Sequence, residues 1–161
     1  MDSTPEELSR DLARDLPQSA APSRKLAVVA CMDARLDPAR VLGLEPGAAH
    51  VIRNAGGILT DDVVRSLCLS QRLLGTTGIV LLHHTRCGVE GLDQEGFLTD
   101  LAADAGQRPV WAPGSFADPS DSVRESIRRL RACPFLLHRD DVAGHVYDVD
   151  TGALAEVHSD S

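Results

Sequence analysis

Residues Lys25 to Arg35 read KLAVVACMDAR. Lys25 to Cys31 is an almost unbroken apolar run, the pattern of a strand buried on both faces of a parallel sheet. Cys31 closes the run, and Asp33 and Arg35 follow at alternate positions. A second run, Gly78 to His83, leads into LLHHTRCG, Leu81 to Gly88, where His84 and Cys87 stand three apart. Sites in open parallel sheets form beyond the carboxyl ends of the strands, so both run ends are expected to open on one side.

Around these two runs the chain alternates strand and helix patterns. Asp37-Pro38 opens a short helical segment through Leu42, and Glu45-Pro46-Gly47 is a turn. Ala49 to Arg53 is a further strand, followed by a loop at Asn54 to Gly57. Thr60 caps a helix with Asp61 and Asp62 in its first turn; Val63, Val64, Leu67, Cys68 and Leu74 keep its period, and Gly75 ends it. Phe97 to Ala105 is helical in pattern, and Gln107 to Asp118 is rich in turn formers. A helix starting at Ser120 or Asp121 turns Val123, Ile127 and Leu130 inward. His145 to Val149 and Ala153 to Val157 flank Asp150-Thr151-Gly152 as a hairpin. The predicted class is α/β: a mostly parallel β-sheet flanked by helices, with an antiparallel edge hairpin.

The N-terminal stretch reads differently. Thr4-Pro5-Glu6-Glu7 is a helix start, and Leu8, Leu12 and Leu16 form a narrow apolar stripe before a linker at Pro17 to Ser23. Residues 1–24 are therefore expected to be a helical arm and linker that lies on its own domain or on a second subunit. Residues 25–161 are expected to form the α/β domain.

A formal charge of −8 argues against a nucleic-acid partner and an anionic membrane surface. No apolar run has the length of a membrane span, and the acidic start has no apolar signal core, so a cytoplasmic protein is expected. Four cysteines in 161 residues are too few for a disulfide scaffold and are read as ligands, nucleophiles or core. Cys31, His84 and Cys87 supply two thiolates and an imidazole, a ligand set that suits one zinc ion and leaves a fourth position free for chemistry.

Cys31-x-Asp33-x-Arg35 followed by His84-x-x-Cys87-Gly88 resembles the β-class carbonic anhydrases, in their short bacterial form. The stretch VIRNAGG, Val51 to Gly57, resembles them too. The resemblance implies a β-carbonic anhydrase-like fold and one zinc ion per subunit on Cys31, His84 and Cys87. It implies a homodimer or dimer of dimers, with the N-terminal helix crossing to its neighbour. The implied reaction is reversible hydration of carbon dioxide to bicarbonate and a proton, by attack of zinc-bound hydroxide. Asp33 would accept the hydroxide proton as a hydrogen bond, and Arg35 would keep Asp33 ionised and off the metal. Asp33 would become a fourth ligand if that pairing were lost. Carbonyl sulfide or carbon disulfide hydrolysis on the same scaffold is the alternative reaction, and a zinc-bound regulatory or structural subunit is the alternative role. Two family features are missed: Pro22 stands where many members carry a glutamine, and with five aromatic residues the usual aromatic pocket lining is not evident.

Other residues have plainer readings. Asp33 and Arg35 also fit a simple structural ion pair. His83 falls on the opposite strand face from His84 and reads as a packed histidine or a proton relay. Arg53 reads as an ion-pair partner, Gly56 and Gly57 as backbone devices, and Cys68 and Cys133 as core. Arg86, between two ligands, is placed at the site entrance. A cysteine-phosphatase loop fails because Asp37 stands where its arginine is required. A P-loop or dinucleotide motif fails because MDARLDP follows the first strand.

Overall fold

The apolar run after Lys25 forms β1, Leu26–Cys31, an inner strand of a five-stranded sheet. The computed structural model describes residues 19–159. The expected N-terminal helix with its leucine stripe lies outside them. The remaining strands are β2 (Ala49–Asn54), β3 (Gly78–His84), β4 (Val142–Tyr147) and β5 (Leu154–Val157). Their order is β2-β1-β3-β4-β5, with β5 antiparallel to β4 and every other pairing parallel. The helices are α1 (Pro38–Leu42), α2 (Asp61–Leu74), α3 (Gln94–Ala105) and α4 (Pro119–Ala132), with a 3-10 turn at Ala55–Gly57. No described helix is long and apolar enough to cross a membrane.

Strand alternation divides the core into two layers. Ala27, Val29, Ile79 and Leu81 pack with Leu67 of α2 and with Val123, Ile127 and Leu130 of α4. Val28, Ala30 and Leu82 face the other way, with Leu36, Cys31, Cys87 and the partly buried Val41 and Leu42 of α1. That second face is thinly covered. The short α1 lies over it, while Val51 and Leu154 remain 45% and 40% exposed.

Side chains at the helix starts explain where the boundaries differ from expectation. The Asp93 carboxylate accepts from the Gly96 amide and starts α3 at Gln94, three residues before Phe97. Asp118 accepts from the Asp121 amide, with Pro119 in the first turn, so α4 also starts early. β4 begins at Val142 rather than His145 because Val142 pairs with Ile79. Gly144 interrupts the apolar pattern there for a packing reason: a Cβ at that position would lie 2.3 Å from Cγ1 of Val123. β4 ends at Tyr147, where the Asp148 carboxylate accepts from the amides of Asp150 and Thr151 and closes the hairpin turn.

The end of the expected linker is pinned to the domain. Ser23 and Arg24 donate to the carbonyls of Gly47 and Ala48, and Nε2 of His50 donates to the carbonyl of Ala20.

Leu67 is fully buried between α2 and the sheet. Leu67→Ala is expected to lower unfolding free energy by about 2–5 kcal/mol, read by urea denaturation at unchanged slope.

Candidate metal centre

The site lies at the carboxyl ends of β1 and β3. Parallel pairing aligns Ala30 with Leu82, so Cys31 and His84 leave the sheet at the same edge. After β3 the chain turns through Thr85 and Arg86, whose φ is +54°, and returns Cys87 to the same spot. The Cys31 and Cys87 sulfurs and a His84 ring nitrogen lie within 4.8 Å of one another, and all three residues are buried. The two sulfurs are 3.9 Å apart.

The donor set fits a tetrahedral zinc ion. Zinc–sulfur bonds of about 2.3 Å at a tetrahedral angle separate two sulfurs by about 3.8 Å. His84 Nδ1 lies 2.8 Å from the Thr85 carbonyl oxygen, which can only accept, so the proton sits on Nδ1. Nε2 is left bare, buried and without a hydrogen-bond partner, as a metal-binding imidazole requires.

Charge gives the same result. Burial alone would raise the Cys31 thiol. The neighbouring His84 imidazole and the backbone amides of Asp33 and Gly56 outweigh it and bring Cys31 down to about 7. Burial raises Cys87, the amide of Val89 opposes, and the neighbouring Cys31 raises it further. Two thiolates 3.9 Å apart repel by about 4 kcal/mol at an effective dielectric of about 20. A cation between them would offset that repulsion.

Asp33 sits next to this group. Its Oδ1 accepts from the backbone and Nε of Arg35, and its Oδ2 accepts from Nη2 at 2.8 Å. Arg35 holds the Asp33 carboxyl well below the usual carboxylate range. Oδ2 also lies 3.7 Å from His84 Nε2, so the carboxylate borders the site while remaining paired with Arg35. Arg35 Nη2 reaches across to the Arg86 carbonyl, tying the two ligand-bearing loops together.

Four neighbours carry roles that were not evident in the sequence. Arg53 makes no ion pair among the described residues. It donates instead to the carbonyls of Cys31, Asp33 and Leu36, fixing the whole turn that carries the aspartate. Asn54 bridges the amide and carbonyl of Ile58, closing the Gly56–Gly57 turn. Phe116 and Tyr147 pack against the buried layer that includes Cys31 and Cys87. Arg86 pairs with Asp150 at the rim. Cys68 and Cys133 are half-buried and pack against the main core, in the layer opposite Cys31 and Cys87.

Comparison with known proteins follows this geometry. A family model described as carbonic anhydrase matches residues 26–101. The chain is 50% identical over 141 residues to β-carbonic anhydrase 1 of Mycobacterium tuberculosis, covering 88% of this chain and 86% of that protein. It is 46% identical to a carbon disulfide hydrolase of Saccharolobus solfataricus, covering 84% of this chain and 78% of that one. A crystal structure of carbonic anhydrase from Streptococcus mutans superposes with a TM-score of 0.85 at 40% identity, over 95% of this chain and 93% of that one. The chain belongs to the β-carbonic anhydrase family.

Metal affinity should depend on pH in one direction. The metal-bound form needs both thiolates, whereas the metal-free form keeps Cys87 protonated and protonates Cys31 below about 7. Affinity therefore rises with pH, by about tenfold per unit from Cys87 alone between pH 6 and 8. Competition with a chromophoric chelator at fixed ionic strength checks this.

Proposed function

We propose that the chain catalyses the reversible hydration of carbon dioxide to bicarbonate and a proton, with one zinc ion held by Cys31, His84 and Cys87. The observation that carries this reading is the convergence of three buried donors with an ionised Asp33 beside them. Zinc bound there supplies Lewis acidity, which in three-histidine carbonic anhydrases brings a water's pKa to about 7. Two thiolates donate more charge than imidazoles and oppose that effect.

The chain's own residues then do the following. Asp33, kept ionised by Arg35, accepts a hydrogen bond from the attacking oxygen and orients its lone pair toward the substrate carbon. Arg35 keeps the carboxylate turned away from the ligands; with that pairing lost, Asp33 would close the site as a fourth ligand. Arg53 fixes the backbone of the aspartate turn by binding three carbonyls. Val89, Phe116 and Tyr147 pack against the buried layer that includes Cys31 and Cys87, an apolar surrounding suited to an uncharged triatomic substrate.

Hydrolysis of carbon disulfide or carbonyl sulfide is the second reading, favoured by the carbon disulfide hydrolase relative. Both reactions would use the same ligands. Parallel assays on zinc-loaded protein separate them, and absence of both activities favours a regulatory or structural subunit. Asp33→Ala is expected to lower carbon dioxide hydration by about 10²-fold or more while zinc content stays near one per chain. Unchanged turnover would contradict the role given to Asp33.

A reducing, cytoplasmic setting fits the site, because an oxidising one would threaten two thiols 3.9 Å apart. A homodimer fits the sheet. Parallel sheets are normally covered on both faces. Here, among the described residues, α1 is the only helix packed on one face, and β2 is an edge strand with Val51 exposed. A second subunit, with its arm of residues 1–24 and the Leu8, Leu12 and Leu16 stripe, is the proposed cover. Val51→Asp should shift the mass seen by light scattering from two chains, or a multiple of two, toward one; an unmoved mass would contradict this interface.

A further inference from the structure

Arg86 stands between two of the buried donors and has a left-handed backbone, with φ of +54°. For an L residue with a side chain that region is less populated than the right-handed one by about 5- to 30-fold. Glycine would adopt it freely, yet the chain carries arginine here. Contacts around Arg86 therefore have to hold the conformation.

Two such contacts exist, one from each side. The Arg86 carbonyl accepts from Nη2 of Arg35 at 2.9 Å. The Arg86 Nη1 donates to both carboxylate oxygens of Asp150, at 2.7 and 3.0 Å. Exposed ion pairs ordinarily contribute little, because two long side chains have to be ordered together. Here one partner is ordered in advance. Asp150 sits in the turn between β4 and β5, where the Asp148 carboxylate accepts from the Asp150 and Thr151 amides and the Asp148 carbonyl accepts from the Gly152 amide. The same turn grips the preceding residue of the ligand loop: the Thr85 amide donates to the Tyr147 carbonyl, and the Val149 amide donates to Thr85 Oγ1.

The contact between Arg35 and the Arg86 carbonyl has a particular value. Asp33 and Arg35 are two residues apart on one turn, so their ion pair is local and could swing as a unit. Arg53 holds the backbone of that turn but touches neither side chain. Among the described residues, the Arg86 carbonyl is the partner of Arg35 that belongs to the other ligand loop.

We propose that Asp150 is a positioning residue: by pairing with the Arg86 side chain it holds Arg86 left-handed, so that the Arg86 carbonyl anchors Arg35 and fixes the direction of Asp33 beside the ligands. This rests on the role given to Asp33 above and extends it to the hairpin turn. The exposed Asp150 touches neither the ligands nor Asp33; it acts through Arg86 and Arg35.

The test uses full-length zinc-loaded protein and two readouts. The first is the backbone 13C shifts of Arg86, which report left- or right-handed conformation without any turnover. In Asp150→Asn they should move toward right-handed values, and unmoved shifts would overturn the proposal. The second is carbon dioxide hydration per bound zinc. Asp150→Asn and Arg86→Ala should each lower it by about 3- to 10-fold, since the left-handed bias then goes uncompensated. Arg86→Gly also lacks the ion pair but adopts the left-handed region freely, and it should recover to within about threefold of wild type. An ion pair with a merely structural role predicts the opposite: alanine and glycine variants alike in turnover, or glycine the worse. Either of those results, or full turnover in Asp150→Asn, would overturn the proposal. A wild-type zinc protein without hydration activity would instead overturn the reaction proposed above, and the Arg86 shifts in wild type and Asp150→Asn would then decide the positioning claim alone.

Discussion

The pairing of β1 with β3 is the constraint on which this molecule depends. Both strands are apolar up to their carboxyl ends, both are largely buried, and they run parallel in a register that aligns Val29 with Leu81 and Ala30 with Leu82. A shift of one residue would turn each apolar side chain to the opposite layer and carry His84 away from Cys31. The register is thus fixed by hydrophobic packing on α2 and α4, well away from the chemistry. The same packing that stabilises the domain also brings Cys31 and His84, two of the three buried donors, together from distant parts of the chain.

What packing brings together, charge has to balance. Two thiols and an imidazole share a buried spot from which most water is removed. The backbone amides of Asp33 and Gly56 together with His84 favour one thiolate, while Cys87 is held toward its protonated form. A cation resolves that conflict, and the free Nε2 of His84 awaits it on the correct tautomer. Around these ligands lie groups that position rather than bind. Arg53 holds the turn after Cys31, Arg35 spans from Asp33 to the Arg86 carbonyl, and the Gly56–Gly57 turn presses on the end of β1.

Much of this was legible in the sequence, for reasons that can be stated residue by residue. The strands are continuous apolar runs, so β1 and β3 were readable. Cys31 and His84 stand at run ends, and the spacing to Cys87 joins them into one site. Alternation alone assigns His83 and His84 to opposite faces. The unreadable parts depend on contacts between distant segments. Gly144 looks like a break in β4 until Val123 is seen packed over it. Arg53 suggests an ion pair by its charge, yet its partners are carbonyls, which carry no sequence signal. Phe116 lies in a turn-rich stretch without periodicity, and only the fold brings it to His83. The early starts of α3 and α4 come from Asp93 and Asp118, each capping a segment whose next residues, including Gly96 and Pro119, obscure the helical pattern.

The central claim is that Cys31, His84 and Cys87 form one preformed zinc site with a position left for chemistry. Metal-edge X-ray absorption of the purified zinc protein tests it most directly. The account predicts two sulfur scatterers at about 2.3 Å and one imidazole nitrogen at about 2.0 Å, with a single light scatterer completing four-coordination. It also predicts loss of one sulfur in Cys87→Ala. A shell of four sulfurs, a shell of oxygen and nitrogen alone, or a spectrum unchanged by Cys87→Ala would contradict it.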